Sequence, residues 1–121
     1  SRFLAEAFGS GVQHLALSTD DMMRTVARLE QNGVKLLEIP ENYYDDLEAK
    51  TGLPPERIAE LKAHNILYDR DGAAEYLQVY LQPFEQFFFE IVHRQDYRGY
   101  GAANAPVRLA AQARLTSTQR D

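Results

Sequence analysis

The sequence predicts one α+β domain in which a curved, mixed β-sheet carries its helices on its convex face. Three observations support this fold class: strand-like segments lie near both ends, a helical pattern follows the first strand, and two short helical segments interrupt the middle. The resulting order is β-α-β, a helical insertion, β-β-β and a closing helix. Helices on one face would leave the other face concave and open for chemistry.

The composition is that of a small globular domain with an acidic surface. The 121 residues suffice for one hydrophobic core, and the net charge of −5 argues against a nucleic acid partner. The chain has no cysteine, which excludes disulfides and thiolate metal sites and fits a cytoplasmic location. No apolar run approaches the ~20 residues that cross a bilayer, so we expect no membrane partner.

The first half of the chain predicts a strand, a helix and a second strand. Residues 12–18 form the first strand, and Ser18-Thr19-Asp20-Asp21 supplies a hydroxyl cap and acidic groups for the following helix. Asn32-Gly33 ends that helix, because glycine readily adopts the left-handed conformation found there. We expect a second strand over residues 34–39, stopped by Pro40.

The second half predicts a helical insertion, three strands and a last helix. The insertion covers residues 41–65 and is divided at Gly52. The later elements are strands at 66–68, 75–82 and 87–94, a hairpin turn at Asp69-Arg70-Asp71-Gly72, and a closing helix over 104–114 with the apolar stripe Val107, Leu109 and Ala110.

A carboxylate is set into the most apolar strand of the chain. Glu90 follows Phe87-Phe88-Phe89, and a buried glutamate needs a cation because an uncompensated buried charge is costly. His14, in the first strand, could face the same cavity. An imidazole and a carboxylate with open coordination positions suit Fe(II) or Mn(II). Gln78, on a neighbouring strand, would place an amide beside them.

These assignments have structural alternatives that the sequence leaves open. His14 could be a hydrogen-bonded core histidine, and Glu90 could form a salt bridge with Arg94 or Lys62. The run Tyr43-Tyr44-Asp45-Asp46 fits either a hard-cation site or a solvated helix start.

Six segments, in the same order, resemble the last βαβββ module of 4-hydroxyphenylpyruvate dioxygenase, a member of the vicinal oxygen chelate superfamily. They are Gly11-Val12-Gln13-His14-Leu15-Ala16-Leu17, Tyr43-Tyr44-Asp45, Ile66-Leu67-Tyr68-Asp69, Tyr76-Leu77-Gln78-Val79, Phe88-Phe89-Glu90-Ile91-Val92 and Gly99-Tyr100-Gly101-Ala102-Ala103-Asn104. Residues 8–11, 63–72 and 103–109 also resemble a bacterial fusion group, in which a sugar-phosphate-isomerase-like barrel with 3-dehydroshikimate dehydratase activity precedes a dioxygenase-like half. We expect residues 1–121 to be a single module, and the opening at Ser1 without an initiator methionine indicates a C-terminal piece of a longer polypeptide.

The resemblance implies a non-haem Fe(II) dioxygenase site that takes a small 2-oxo acid and O₂, with Mn, Co or Mg as other metals that such a site could hold. His14 would be the second histidine ligand and Glu90 the carboxylate ligand. Gln78 and Gln13 would match substrate-side glutamines, and Asn104 would lie on the closing helix. Alternation along a strand turns Gln13 away from His14, so its role needs a bulge or a reach around the strand edge.

The chain departs from the family pattern in two respects. The first histidine ligand of the family lies in a preceding module, so these residues supply at most two of three ligands, and the isolated chain should be poorly active or inactive. The family has an aromatic residue after the closing asparagine, and this chain has Ala105 there. The departure leaves open whether 4-hydroxyphenylpyruvate is the substrate. Two alternatives therefore stay open: a catalytically idle structural or dimerising module fused to the dehydratase, and a glyoxalase-like homodimer whose chains each donate a ligand pair. A homo-oligomer is expected.

Overall fold

The described part of the chain contains five strands and four helices. The structure is a computed structural model that describes residues 3–8, 12–82, 87–95 and 104–119, with side chains described at 15–82, 89–94, 104 and 106–115. The elements are β1 (Phe3–Phe8), β2 (Val12–Ser18), α1 (Met22–Gln31), α2 (Glu41–Thr51), α3 (Pro55–Ala63), β3 (Leu67–Asp71), β4 (Ala74–Tyr80), β5 (Phe87–Gln95) and α4 (Ala105–Gln119). None of these helices is both long enough and apolar enough to cross a membrane.

The strands form one mixed sheet in the order β1-β2-β5-β4-β3. The β2–β5 pair is parallel, and the three other neighbouring pairs are antiparallel. A parallel pair needs a long crossover, which the residues between β2 and β5 provide, whereas β3 and β4 are joined by a tight hairpin. The predicted α+β class with a mixed sheet is confirmed.

The main apolar packing joins α1 to one face of this sheet. Leu77, Val79 and Ile91 share that face and belong to the same buried cluster as Met22 and Val26 of α1. Met22 and Val26 lie four residues apart and therefore project from one side of the helix. Full burial of side chains of this size stabilises the fold by roughly 1.5–3 kcal/mol each.

Two consecutive tyrosines attach α2 to β3. The Tyr44 hydroxyl donates to the carbonyl of Ile66 at 3.0 Å, and the Tyr43 hydroxyl accepts from the N–H of Tyr68 at 2.9 Å. The Tyr68 hydroxyl in turn donates to a carboxylate oxygen of Glu75 at 2.6 Å. Burial raises the pKa of Tyr43 to about 12, and burial together with the Glu75 carboxylate raises the pKa of Tyr68 to about 12.

The strand predicted over residues 34–39 is wrong. In this segment, which is fully described, only Leu36 pairs, as an isolated bridge to Leu81. Leu36 and Leu37 are both buried, so the apolar residues here reflect packing on two sides rather than the alternation of a strand. The pairing is confined to the end of β4: the N–H of Leu37 donates to the Tyr80 carbonyl at 2.7 Å, and the N–H of Gln82 donates to the Lys35 carbonyl at 3.0 Å.

The hairpin turn and the first strand also differ from the prediction. β3 continues to Asp71, so residues 69–71 belong to a strand, and the turn consists of Gly72 and Ala73. Gly72 has φ of 61°, a conformation that glycine adopts without strain. β1, which the sequence pattern left unassigned, pairs antiparallel with β2.

The closing helix is longer than predicted and is rotated relative to the predicted stripe. It extends to Gln119, because no glycine or proline follows Pro106 to end it. Ala111 is buried and Val107 is partly buried, whereas Leu109 is 57% exposed. The apolar side of α4 therefore follows the four-residue spacing from Val107 to Ala111, and the predicted stripe with Leu109 is wrong.

We expect the protein to lose stability at alkaline pH. An unfolded tyrosine ionises near pH 10, whereas Tyr43 and Tyr68 keep their protons to about pH 12 in the fold. The folded state therefore binds more protons between these values, and the free energy of unfolding falls by about 1.4 kcal/mol per pH unit for each such tyrosine. Urea unfolding measured from pH 8 to 12 checks this. Tyr43→Phe should remove one tyrosine's share of the slope, and a slope unchanged by that substitution would contradict the assignment.

Candidate functional site

The sheet register defines one face, called here the Glu90 face. Glu90 pairs with Ala16 across β2 and with Tyr80 across β4, and His14 pairs with Phe88. Because side chains alternate along a strand, positions 14 and 90 occupy the same face. They lie on adjacent strands, separated by two residues, or roughly 7 Å, along the strand direction.

Glu90 is buried and accepts a hydrogen bond from an amide. Its exposed fraction is 6%, and Gln78 Nε2 donates to Glu90 Oε2 at 3.1 Å. The same nitrogen donates to the Tyr80 hydroxyl at 2.9 Å. Both N–H groups of the Gln78 side chain are therefore engaged on the Glu90 face.

The start of α4 meets this face through Asn104. Asn104 Nδ2 donates to Gln78 Oε1 at 3.0 Å, and the Tyr43 hydroxyl donates to Asn104 Oδ1 at 3.0 Å. Asn104 and Gln78 are buried, with 3% and 2% of their surfaces exposed. The structure thus brings together three of the predicted site residues, Gln78, Glu90 and Asn104, in one hydrogen-bonded group.

Tyr80 carries a neutral phenol beside the carboxylate. Burial raises the pKa of Tyr80 well above its ordinary value, and the Glu90 carboxylate raises it further. The Arg108 guanidinium, whose central carbon lies 6.0 Å from the Tyr80 ring centroid, opposes this shift in part. Tyr80 therefore keeps its proton at neutral pH and offers a hydroxyl rather than a phenolate.

The other two predicted residues, His14 and Gln13, lie in β2, where the structure describes the backbone but not these side chains. The β2–β5 ladder is unbroken from Gln13 to Ser18, so no bulge reorients position 13. Position 13 lies on the face opposite to position 14, and it pairs with β1 on one side and β5 on the other, so β2 has no open edge there for a reach to the Glu90 face. The site roles of His14 and Gln13 stay predictions.

The structure also describes the residues of the alternative interpretations, namely the salt-bridge partners suggested for Glu90 and the acidic start of α2. Lys62 forms an ion pair with Glu41 at 3.2 Å, and the Arg94 guanidinium lies 5.3 Å from the ring centroid of Tyr76. Asp45 and Asp46 are exposed, as in a solvated helix start. Among the described side chains, no three histidine, aspartate or glutamate groups come close enough to hold an ion together.

The donor groups of the Glu90 face fit a divalent transition metal. A carboxylate and an imidazole are the ligand types that Fe(II), Mn(II) and Co(II) accept, and Glu90 and position 14 share the face. Carboxylate ligands are normally held by hydrogen bonds from outer-shell groups. The Gln78 amide at 3.1 Å from Glu90 Oε2 has the geometry of such a group.

Sequence reasoning missed Tyr43 as part of this group. The sequence pattern treated Tyr43 as part of an acidic helix start, yet its hydroxyl contacts both Asn104 and the backbone of Tyr68. The available signal was the pair Tyr43-Tyr44, because two adjacent aromatic residues in a polar helix start are rarely both solvated.

The chain is similar to proteins of two activities. It is 54% identical over 112 residues to a 3-dehydroshikimate dehydratase of Pseudomonas putida, covering 90% of this chain and 18% of that protein. It is 39% identical over 104 residues to a 4-hydroxyphenylpyruvate dioxygenase of Tetrahymena thermophila, covering 79% of this chain and 26% of that enzyme. The chain therefore spans about a fifth to a quarter of the length of these relatives.

A solved structure and a family model agree with this similarity. A xylose isomerase-like TIM barrel/4-hydroxyphenylpyruvate dioxygenase fusion protein superposes with a TM-score of 0.79 at 54% identity, over 83% of this chain and 17% of that one. Residues 4–73, more than half of the chain, match the family model of the Glyoxalase/Bleomycin resistance protein/Dioxygenase superfamily. The chain therefore belongs to this superfamily, close to the C-terminal half of 4-hydroxyphenylpyruvate dioxygenase and to the dehydratase–dioxygenase fusion proteins.

Proposed function

We propose that this chain is a dioxygenase module of the 4-hydroxyphenylpyruvate dioxygenase type, which contributes His14 and Glu90 to a non-haem Fe(II) site. The observation that carries the proposal is the buried Glu90 carboxylate, hydrogen-bonded by Gln78 and on the same sheet face as position 14. The dioxygenase relative supports it. A further βαβββ module would supply the remaining histidine ligand.

The metal, when bound, would supply open coordination positions for a small 2-oxo acid and O₂ and the electrons that activate oxygen. The protein residues have different tasks. Gln78 orients the Glu90 carboxylate through its N–H group, and the Tyr80 hydroxyl presents a polar group beside it. Asn104 holds the start of α4 over the same group and helps to keep water out.

A second candidate is a catalytically idle module that stabilises or dimerises the dehydratase barrel. The dehydratase relative is 54% identical, against 39% for the dioxygenase relative, which favours an association with dehydratase chains. Ala105, in place of the aromatic residue of the dioxygenases, also supports this candidate. The two candidates differ in oxygen chemistry rather than in fold.

Replacing Glu90 should abolish metal binding without unfolding the protein. In the natural full-length polypeptide, we expect Glu90→Gln to weaken Fe(II) or Co(II) binding by more than about 100-fold, since even outer-shell changes cost 10–100-fold. The measurement is metal content after equilibrium dialysis. Glu75→Gln is the matched control, because Glu75 is a partly buried carboxylate on β4 that accepts from the Tyr68 hydroxyl and forms an ion pair with Arg57 at 3.7 Å.

The control should retain its metal, and equal metal content in the two variants would contradict the role of Glu90. The thermal midpoints of both variants show whether either effect is due to unfolding.

Oxygen consumption should distinguish the two candidate functions. We expect the iron-loaded full-length polypeptide to consume O₂ only when a 2-oxo acid is present, because the acid completes the coordination of the metal. The measurement is an oxygen-electrode trace with a panel of aromatic and aliphatic 2-oxo acids, and Glu90→Gln is the blank. If iron binds and no acid gives uptake above the blank, the idle-module candidate is favoured.

A further inference from the structure

We infer that Tyr43 is a positioning residue of the metal-binding carboxylate, acting on Glu90 through Asn104 and Gln78. The inference rests on the proposed function, in which Glu90 is a metal ligand, and it deepens that function by assigning a task to helix α2. The residues form one chain of hydrogen bonds from the backbone of β3 to Glu90: Tyr68, Tyr43, Asn104, Gln78 and Glu90.

Both ends of this chain have a fixed hydrogen-bonding character. The backbone N–H of Tyr68 can only donate, and it donates to the Tyr43 hydroxyl at 2.9 Å. The Glu90 carboxylate can only accept, and it accepts from Gln78 at 3.1 Å. Between these ends lie two side-chain amides, each of which could be reversed by a rotation of half a turn.

The carboxylate end sets the direction of both amides. Gln78 must present its N–H groups to Glu90 and Tyr80, so its carbonyl oxygen faces Asn104. Asn104 must then direct its NH₂ group toward Gln78, and its carbonyl oxygen faces the Tyr43 hydroxyl at 3.0 Å. A reversed Gln78 would place a carbonyl oxygen against the carboxylate and an NH₂ group against another NH₂ group.

Tyr43 completes this order by donating to the Asn104 carbonyl. Its hydroxyl has one proton and two acceptors at 3.0 Å, Asn104 Oδ1 and the carbonyl of Tyr68. The Tyr68 carbonyl also has a donor in Asn104 Nδ2 at 3.4 Å, so the proton of Tyr43 is needed at Asn104 Oδ1. That hydroxyl stays protonated at neutral pH, since burial raises the pKa of Tyr43 to about 12. Asn104 is 3% exposed, so little water could replace the tyrosine. Removing the hydroxyl would leave the buried Asn104 carbonyl without this donor, which destabilises the ordered arrangement relative to one in which Asn104 and Gln78 are both reversed and Glu90 loses its hydrogen bond.

The neighbouring Tyr44 provides a matched control. It is also a buried tyrosine of α2, and its hydroxyl donates at 3.0 Å to the carbonyl of Ile66. Tyr44→Phe and Tyr43→Phe therefore remove the same group from the same helix and should both reduce stability. Only Tyr43 is connected to Glu90.

The test is a Co(II) titration of the natural full-length polypeptide, followed by the visible absorption bands of the bound ion. We expect Tyr43→Phe to raise the Kd for Co(II) by roughly three- to ten-fold and to shift the bands, a smaller effect than the 10–100-fold cost for direct outer-shell partners. Tyr44→Phe should leave the Kd within about two-fold and the bands unchanged. In the metal-free protein, Tyr43→Phe should also speed hydrogen exchange at the backbone N–H of Tyr68, which loses its acceptor.

If Tyr43→Phe does not fold, a second variant tests the same chain of hydrogen bonds. Asn104→Asp keeps the shape of the side chain but cannot donate to Gln78, so it should reverse Gln78 and raise the Kd by roughly 10–100-fold. Equal Kd values and spectra for Tyr43→Phe, Tyr44→Phe and wild type would overturn the inference while leaving the metal site intact. If the wild-type protein does not bind Co(II), the proposed function fails, and this inference fails with it.

Discussion

The burial of the Glu90 carboxylate is the constraint on which the arrangement of the other polar groups depends. A carboxylate with 6% of its surface exposed loses most of its hydration, and the protein must replace that hydration with donors or a cation. Gln78 supplies one donor from β4, and Asn104 and Tyr43 extend the contact to α4 and α2. Hydrogen bonds thereby link Glu90 to the start of α4 and to α2.

This arrangement also explains why the two faces of the sheet differ in chemistry. The face bearing Leu77, Val79 and Ile91 packs against α1 through apolar contacts, which are not directional. On the Glu90 face, Asn104 attaches the start of α4 through hydrogen bonds, in addition to the apolar packing of Ala111 farther along the helix, and such bonds hold only when each donor meets an acceptor. Buried polar groups with matched partners specify one geometry, so the Glu90 face suits a site whose groups must be precisely placed.

The fold could be predicted largely from local pattern, because alternation and helix signals survive in a small domain. The parts that failed share one cause. At Leu36 and Leu37, apolar residues reflect burial between elements, and the sequence does not show that their pairing with the end of β4 is limited to one bridge. The predicted stripe of α4 failed in the same way, since the partner of that helix decides which side is buried. In the segment around Leu36 and in α4, packing against other elements decides which residues are buried, and it overrides the local pattern.

Only those site residues could be predicted whose type is unusual for their position in a strand. Glu90 stands out because a charge in an apolar strand is unusual, and Gln78 follows from its alternation with two tyrosines. Tyr43 could not be assigned, because its partner Asn104 lies 61 residues away along the chain.

The burial of Glu90 also bears on whether the module is idle. Replacing a buried charged group by a well-packed apolar residue often leaves stability unchanged or improves it, so the stability of the fold alone does not account for a carboxylate at this position. The matched chain of hydrogen bonds around Glu90 is the kind of arrangement that a ligand-binding carboxylate requires, and it favours a module in which Glu90 has a chemical task.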